Sequence, residues 1–340
     1  DMTRSRGLGD VYKRQASLSR RRLLKLGAGT CLTLLSGCRS GLRPSKLLSA
    51  KGTLPKAWLK QLPSAWESTF TQGSEVWPAE VDEPVDLVAM GDGWLSTVAP
   101  SRLRNLDAPD LQRQMDGQAQ RFLTQLGPEQ AARVLPVGVS PWVMLFRDGS
   151  SWIRAAQENW NVLLDPALKG RVVLPASPHF VMDLADRIGG DAVLDRLRMQ
   201  LLTMDDRQAT SWLLKGKARV VVLPLQRCMA LLRQDPRLTA VLPDAGAPLH
   251  WTVMVRPAAT RDPIPQAWIQ MAWQQPLSRS LLRDGWRSPV ALTTARDSLP
   301  EPWRDLLHPS DATWDNCWSL PPLDEKDQNV RVERWQASTP

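Results

Sequence analysis

The chain has 340 residues, and 43% hydrophobic with 23% charged content describes a folded globular protein, not a disordered or membrane-spanning one. Its formal charge of +8 is concentrated at the start: eight of 43 Lys and Arg but only two of 35 acids fall in residues 1–37. The remainder carries about +2, which excludes a phosphate-tracking footprint and leaves no nucleic acid among the expected partners.

Residues 1–15 show neither helical nor strand periodicity and are set aside as an assembly scar or an extended n-region. Ser19-Arg20-Arg21-Arg22-Leu23-Leu24-Lys25 resembles the twin-arginine export motif. The run Leu26 to Gly37 is too short to span a bilayer, as expected of a signal h-region. It ends Leu35-Ser36-Gly37-Cys38, which resembles a lipobox, where small residues admit the peptidase and the Cys38 thiol accepts the lipid. Residues 1–37 are therefore expected to be leader and signal, Cys38 the lipidation site, and residues 38–45 a polar tether. The expected location is extracytoplasmic, at a membrane held by that lipid.

Strands and helices alternate in the body. Pro84–Met90 is a short apolar run ending at Gly91 and Gly93, typical of a parallel strand entering a turn. Residues 109–126 predict a helix with Pro109 near its first position. Strands are expected at 142–146, 171–174, 218–223 and 249–255, and helices at 177–188, 191–204 and 207–215. Ile264, Trp268, Met271 and Ala272 mark one face of a further helix. The alternation predicts an α/β fold with parallel sheets.

Chemistry-bearing residues are sparse. The only histidines are His179, His250 and His308, and no Gly-x-Ser-x-Gly elbow, Gly-rich phosphate loop or Cys/His zinc spacing is present. An enzyme is therefore not expected, nor is a metal or cofactor. Cys228 and Cys317 are the only thiols beyond Cys38, and the sequence leaves open whether they pair. Sixteen tryptophans accompany a single tyrosine, Tyr12 in the leader, so any aromatic cage in the body must use Trp and Phe.

The segment Asn159-Trp160-Asn161-Val162-Leu163-Leu164-Asp165-Pro166-Ala167-Leu168-Lys169-Gly170-Arg171-Val172 is similar to a helix-to-strand motif of the spermidine/putrescine-binding branch of bacterial extracellular solute-binding proteins. Pro84-Val85-Asp86-Leu87-Val88, Leu213–Val220 and Gln275–Leu282 resemble other stretches of that family, in the same order. The resemblance implies a type II periplasmic-binding-protein-like fold, two α/β lobes joined by a hinge. Lobe one would be 46–143 plus 254–340 and lobe two 144–253. A monomer delivering a small-molecule ligand to an ABC permease is the expected function.

The cleft positions depart from the family pattern. Where relatives carry Ser and Tyr, this chain has Gly91 and Gly93, with Asp92 and Trp94 beside them. Family acids fall at Ala176 and His179, and a family Trp-x-Asp falls at His250-Trp251-Thr252, which lacks the acid. Trp314-Asp315-Asn316 resembles a Trp-Gln-Asn stretch with a carboxylate in place of the amide. Two alternatives stay open. Asp92 and Asp315 replace the lost acids around a polyamine, with Trp94 and Trp251 over its methylenes. Otherwise an anionic solute binds the helix start at Ser177, beside His179.

Overall fold

The computed structural model describes residues 43–71, 84–260, 262–320 and 322–338. The twin-arginine stretch and Cys38 lie outside the described residues, and no described helix is long and apolar enough to cross a membrane.

The strands are β1 (Ser45–Ala50), β2 (Trp66–Thr71), β3 (Leu87–Gly91), β4 (Leu103–Arg104), β5 (Val134–Arg147) and β6 (Val172–Val173). They continue with β7 (Leu201–Thr203), β8 (Val220–Pro224), β9 (Leu238–Val241), β10 (Pro248–Pro257) and β11 (Trp318–Ser319). Their order is β2-β1-β3-β10-β5-β8-β6-β7, with β9 also on β5, and β4 and β11 on β10. Residues Val134–Pro141 of β5 pair with β10, whereas Trp142–Phe146 pair with β8. The ladder is thus two half-sheets sharing one 14-residue strand. All of β5 except Trp142 and Arg147 is buried, as a strand covered on both faces requires.

Purely parallel sheets are not what forms. β1 runs parallel to β2 and β3, and β6 to β7 and β8, but β5 and β10 lie antiparallel to their neighbours β8 and β3. The strands that carry the chain between the half-sheets run against those that enter helices. Where they meet, Thr252 faces Gly138 and Val253 faces Pro136, leaving Val137 as the extra residue of a bulge. Prolines cannot donate to a ladder, and β5 holds two, Pro136 and Pro141. Gly138 is obligatory, because a Cβ there would lie 2.0 Å from the Trp286 ring.

The helix expected over 109–126 is two, α1 (Pro109–Arg113) and α2 (Gly117–Leu126). Asp116 leaves helical geometry to cap α2, its Oδ1 accepting the Ala119 N–H at 2.9 Å. In the second half, α3 (Pro178–Ile188) and α4 (Asp191–Gln200) pack together, and α5 (Leu225–Gln234) packs on β5, β8 and β9. The helix expected to reach residue 204 stops at Gln200, where the chain extends into β7.

On the first half-sheet, α6 (Gln266–Trp273) brings Trp268 onto Trp58, with ring centroids 4.4 Å apart. Each indole N–H donates to the other residue's carbonyl, at 3.0 and 3.2 Å, so both large rings are buried with their polar atoms satisfied. Beyond α7 (Asp311–Asp315) and β11, the chain ends in α8 (Glu325–Ala337). This last helix packs on α3. Arg334 pairs with Asp186 and, at 2.7 Å, with Asp191, while the Arg198 guanidinium lies 4.4 Å over Trp335. The chain thus ends against α3 and α4.

Candidate functional site

The carboxyl end of β3 meets the start of β10 where the half-sheets join. β3 stops at Gly91, and Asp92 opens a 3-10 turn, Asp92–Thr97, that turns its carboxylate back toward the sheet. Its Oδ1 accepts the Trp251 N–H at 3.2 Å and lies 3.5 Å from His250 Nδ1. Thr252 pairs with Gly91 across the ladder, which brings His250 over the glycine. A Cβ on residue 91 would come within 2.8 Å of His250 Cε1, so the glycine makes room for the ring.

Burial dominates the charges here. Desolvation pushes Asp92 up to about 7, only partly offset by N–H groups of Trp251, Asp92 itself and Gly93. Among the described residues no Lys or Arg pairs with it. His250 is pushed down to about 4, by burial first and by the Arg227 charge second, against the opposing pull of Asp206. Near neutral pH the imidazole is uncharged and the carboxyl is at mid-titration.

The second half-sheet supplies the facing wall. Trp142, the first β5 residue to pair with β8, stands edge-on to His250 at 5.8 Å and tilted against Phe180 of α3 at 4.8 Å. Arg227 of α5 grips Asp206 through its Oδ2 and, at 2.8 Å, its backbone oxygen. Trp142, Phe180, Asp206 and Arg227 were not singled out in the sequence. Only the pairing of β5 with two half-sheets places them, and no local motif signals it.

The residues that were singled out divide. Asp92 and His250 come together, and Trp94 lies half-buried in the turn that begins at Asp92. Ser177 is a helix cap, its Oγ accepting the Phe180 N–H at 3.2 Å, and His179 sits half-buried in the first turn of α3. Trp251 is corrected: its ring is wholly buried, stacked 4.9 Å from Phe122, with its indole N–H donated to Ser319 Oγ at 2.8 Å. Its backbone amide is the part that reaches Asp92. Thr252 is buried in the ladder. Asp315 lies elsewhere in the chain's fold, on α7. It stands 69% exposed at the end of α7, 3.4 Å from Arg121, because the helix presents that position to solvent. Cys228 and Cys317 are free, buried thiols.

No family model matches the chain, and no curated protein matches it. Solved structures do. The spermidine/putrescine ABC transporter substrate-binding protein PotD from Streptococcus pneumoniae superposes with a TM-score of 0.67 at 13% identity, covering 86% of this chain and 97% of that one. Iron-bound HitA from Pseudomonas aeruginosa gives 0.58 at 11% identity, covering 87% and 99%. A periplasmic thiamin binding protein gives 0.56 at 14%, covering 89% and 99%. Their names span three unlike solutes, so what they share with this chain is architecture: the type II periplasmic-binding-protein fold, two α/β lobes joined by a hinge.

Proposed function

We propose that the chain is the extracytoplasmic solute-binding lipoprotein of an ABC importer, and that its solute carries a protonated amine, as polyamines do. Asp92 carries the proposal. It is a buried carboxylate with no Lys or Arg partner among the described residues, set beside His250, whose ring in turn meets Trp142. An ammonium placed there would supply the missing counter-charge and keep the carboxylate ionised, while Trp142 and Phe180 cover attached methylenes. The names of structural neighbours, PotD among them, support transport over catalysis. The lobes divide at Pro141–Trp142 and again between β9 and β10. The permease partner and the Cys38 anchor belong to the same proposal. An anionic solute at the start of α3 is the weaker alternative, because Ser177 Oγ is already engaged with the Phe180 amide.

Calorimetry with spermidine and putrescine tests the amine, and mass spectrometry of molecules released from the purified protein tests binding itself. Micromolar binding of either amine, weakened at least about tenfold by Asp92→Asn, is the expected result. Absence of heat with both removes polyamines. Absence of any released or bound solute removes the binding function.

A further inference from the structure

β11 lies on the same edge of β10 as β3, because β5 takes the opposite edge from Leu249 to Val255. Trp318 and Ser319 of β11 pair with Pro248 and Leu249, and β3 pairs from Thr252 onward. Between them, among the described residues, no strand pairs with this edge at His250 and Trp251. The Asp92 carboxylate fills that gap by accepting the Trp251 N–H. The C-terminal segment therefore starts beside the site, where Ser319 Oγ accepts the Trp251 indole N–H.

From there the segment crosses to the facing wall. Trp318 donates its indole N–H to Asp183 of α3, under the Arg187 guanidinium. α8 then lies on α3, whose Phe180 leans on Trp142, and Trp142 meets His250. One segment thus touches both walls: β10 with Asp92 and His250 on one side, α3 with Phe180 on the other. β5 and the β9-to-β10 connection already join the half-sheets, as two crossings suited to a hinge. The C-terminal segment is a third crossing, and side chains alone fix its far end.

That hold is light. Among the described side chains of α8 only Trp335 is buried, with Arg198 stacked on its ring and bonded to its carbonyl oxygen at 3.0 Å. The other links run from Arg331 and Arg334 to Asp186 and Asp191 as partly exposed ion pairs, each of which contributes little. Release of α8 would therefore leave the packed body intact, as local opening of a sparsely packed element does.

We infer that α8 is a releasable latch on the solute site. Docked, it holds the Phe180–Trp142 wall against Asp92 and His250; undocked, it lets that wall swing away. This rests on the binding-protein function proposed above. Coupling between two sites is reciprocal, so a solute that touches both walls must in turn favour docked α8.

Two measurements on the full chain test the latch. Calorimetry compares the parent and Trp335→Ala with putrescine, spermidine or, where neither binds, the solute released from the purified protein. Hydrogen exchange of α8 is followed in the parent with and without that solute. Binding at least about fivefold weaker in Trp335→Ala, together with slower α8 exchange in the solute-bound parent, is the expected result. Where Trp335→Ala does not fold, Arg334→Glu reads the same comparison, because it sets a carboxylate against Asp186 and Asp191 without opening a cavity. A folded variant that binds within about fivefold of the parent overturns the latch and leaves the importer function standing. Exchange in α8 that ignores bound solute does the same. If no solute is released and none binds, both fall.

Discussion

His250 Nδ1 stands 3.5 Å from Asp92 Oδ1, yet the two side chains are shifted in ways that oppose charge on either. Burial holds the acid protonated up to about 7 and the imidazole neutral down to about 4. The contact is therefore largely a neutral one, held by the Trp251 amide and by the room that Gly91 leaves.

The two shifts have opposite signs in stability. Asp92 titrates higher folded than unfolded, so its contribution is present at low pH and is lost as pH rises from about 4 toward 7. His250 titrates lower folded than unfolded, so its contribution is present above about 6.5 and is lost as pH falls toward 4. Between those limits the slopes cancel. Asp92→Asn should expose the His250 dependence, with stability relative to the parent rising by up to ~1.4 kcal/mol per pH unit across this window. His250→Gln should show the reverse slope. Thermal melts of all three proteins from pH 4.5 to 6.5 check this, and parallel curves would remove the pair as titrating groups.

Gly91→Ala is the sharpest steric test of the site. The backbone there is ordinary extended chain (φ −73°), so the alanine strains nothing by itself. Its methyl would instead lie 2.8 Å from the His250 ring and displace it. A loss of ~1–3 kcal/mol on denaturant unfolding is expected, as for other overpacked positions. His250→Ala in the same background should recover part of it. Full additivity of the two changes would mean that the ring moves aside without cost.

The alternation of strands and helices was legible because apolar runs such as Leu87–Met90 and Val220–Leu223 are fully buried strands, each parallel to one neighbour and antiparallel to the other. The antiparallel crossing was not. Val134–Arg147 carries two prolines and a glycine, local signals against a strand, and only the bulge at Val137 and the close approach of Trp286 to Gly138 explain them. In the site, Asp92 stood out because it lies beside Gly91 and Gly93, the positions that match the family's cleft residues. Trp251 and Asp315 stood out by family position, but position fixes a backbone and not the direction of a side chain.

The exposure of Asp315 makes Asp315→Asn a further test. With the carboxylate 69% exposed and its partner among the described residues, Arg121, 52% exposed, the pair is solvent-screened. Calorimetry with whichever solute binds should show a change within ~0.5 kcal/mol, the size usual for an exposed pair. A loss of tenfold or more would return Asp315 to the site.

The grip of the C-terminal segment on α3 separates a buried contact from an exposed one. Trp318 donates its indole N–H to Asp183 Oδ2 at 2.6 Å, and Arg187 covers the same ring at 4.2 Å. Trp318→Phe should cost ~1.5–3 kcal/mol, the scale of a hydrogen bond to a charged group. It should also weaken solute binding, since α3 carries Phe180 into the site. Arg334→Ala breaks ion pairs to exposed Asp186 and Asp191, and should cost under ~1 kcal/mol. Denaturant unfolding of both variants orders them, and an equal or reversed order would locate the docking energy in α8 instead.

Membrane attachment depends on a single atom in the proposed function, the Cys38 sulfur. No described helix is long and apolar enough to cross a membrane, and residues 38–340 carry a net charge of about +2. Cys38→Ala should therefore move the protein from the membrane pellet to the soluble exported fraction with its melting temperature unchanged, because the sulfur precedes the folded body. Replacing Arg20 and Arg21 by Lys tests a separate step and should leave uncleaved precursor inside the cell. Fractionation and gel mobility distinguish these outcomes. A Cys38→Ala protein that stays in the pellet would require a second anchor, and normal export of the lysine variant would assign the signal to the general secretory route.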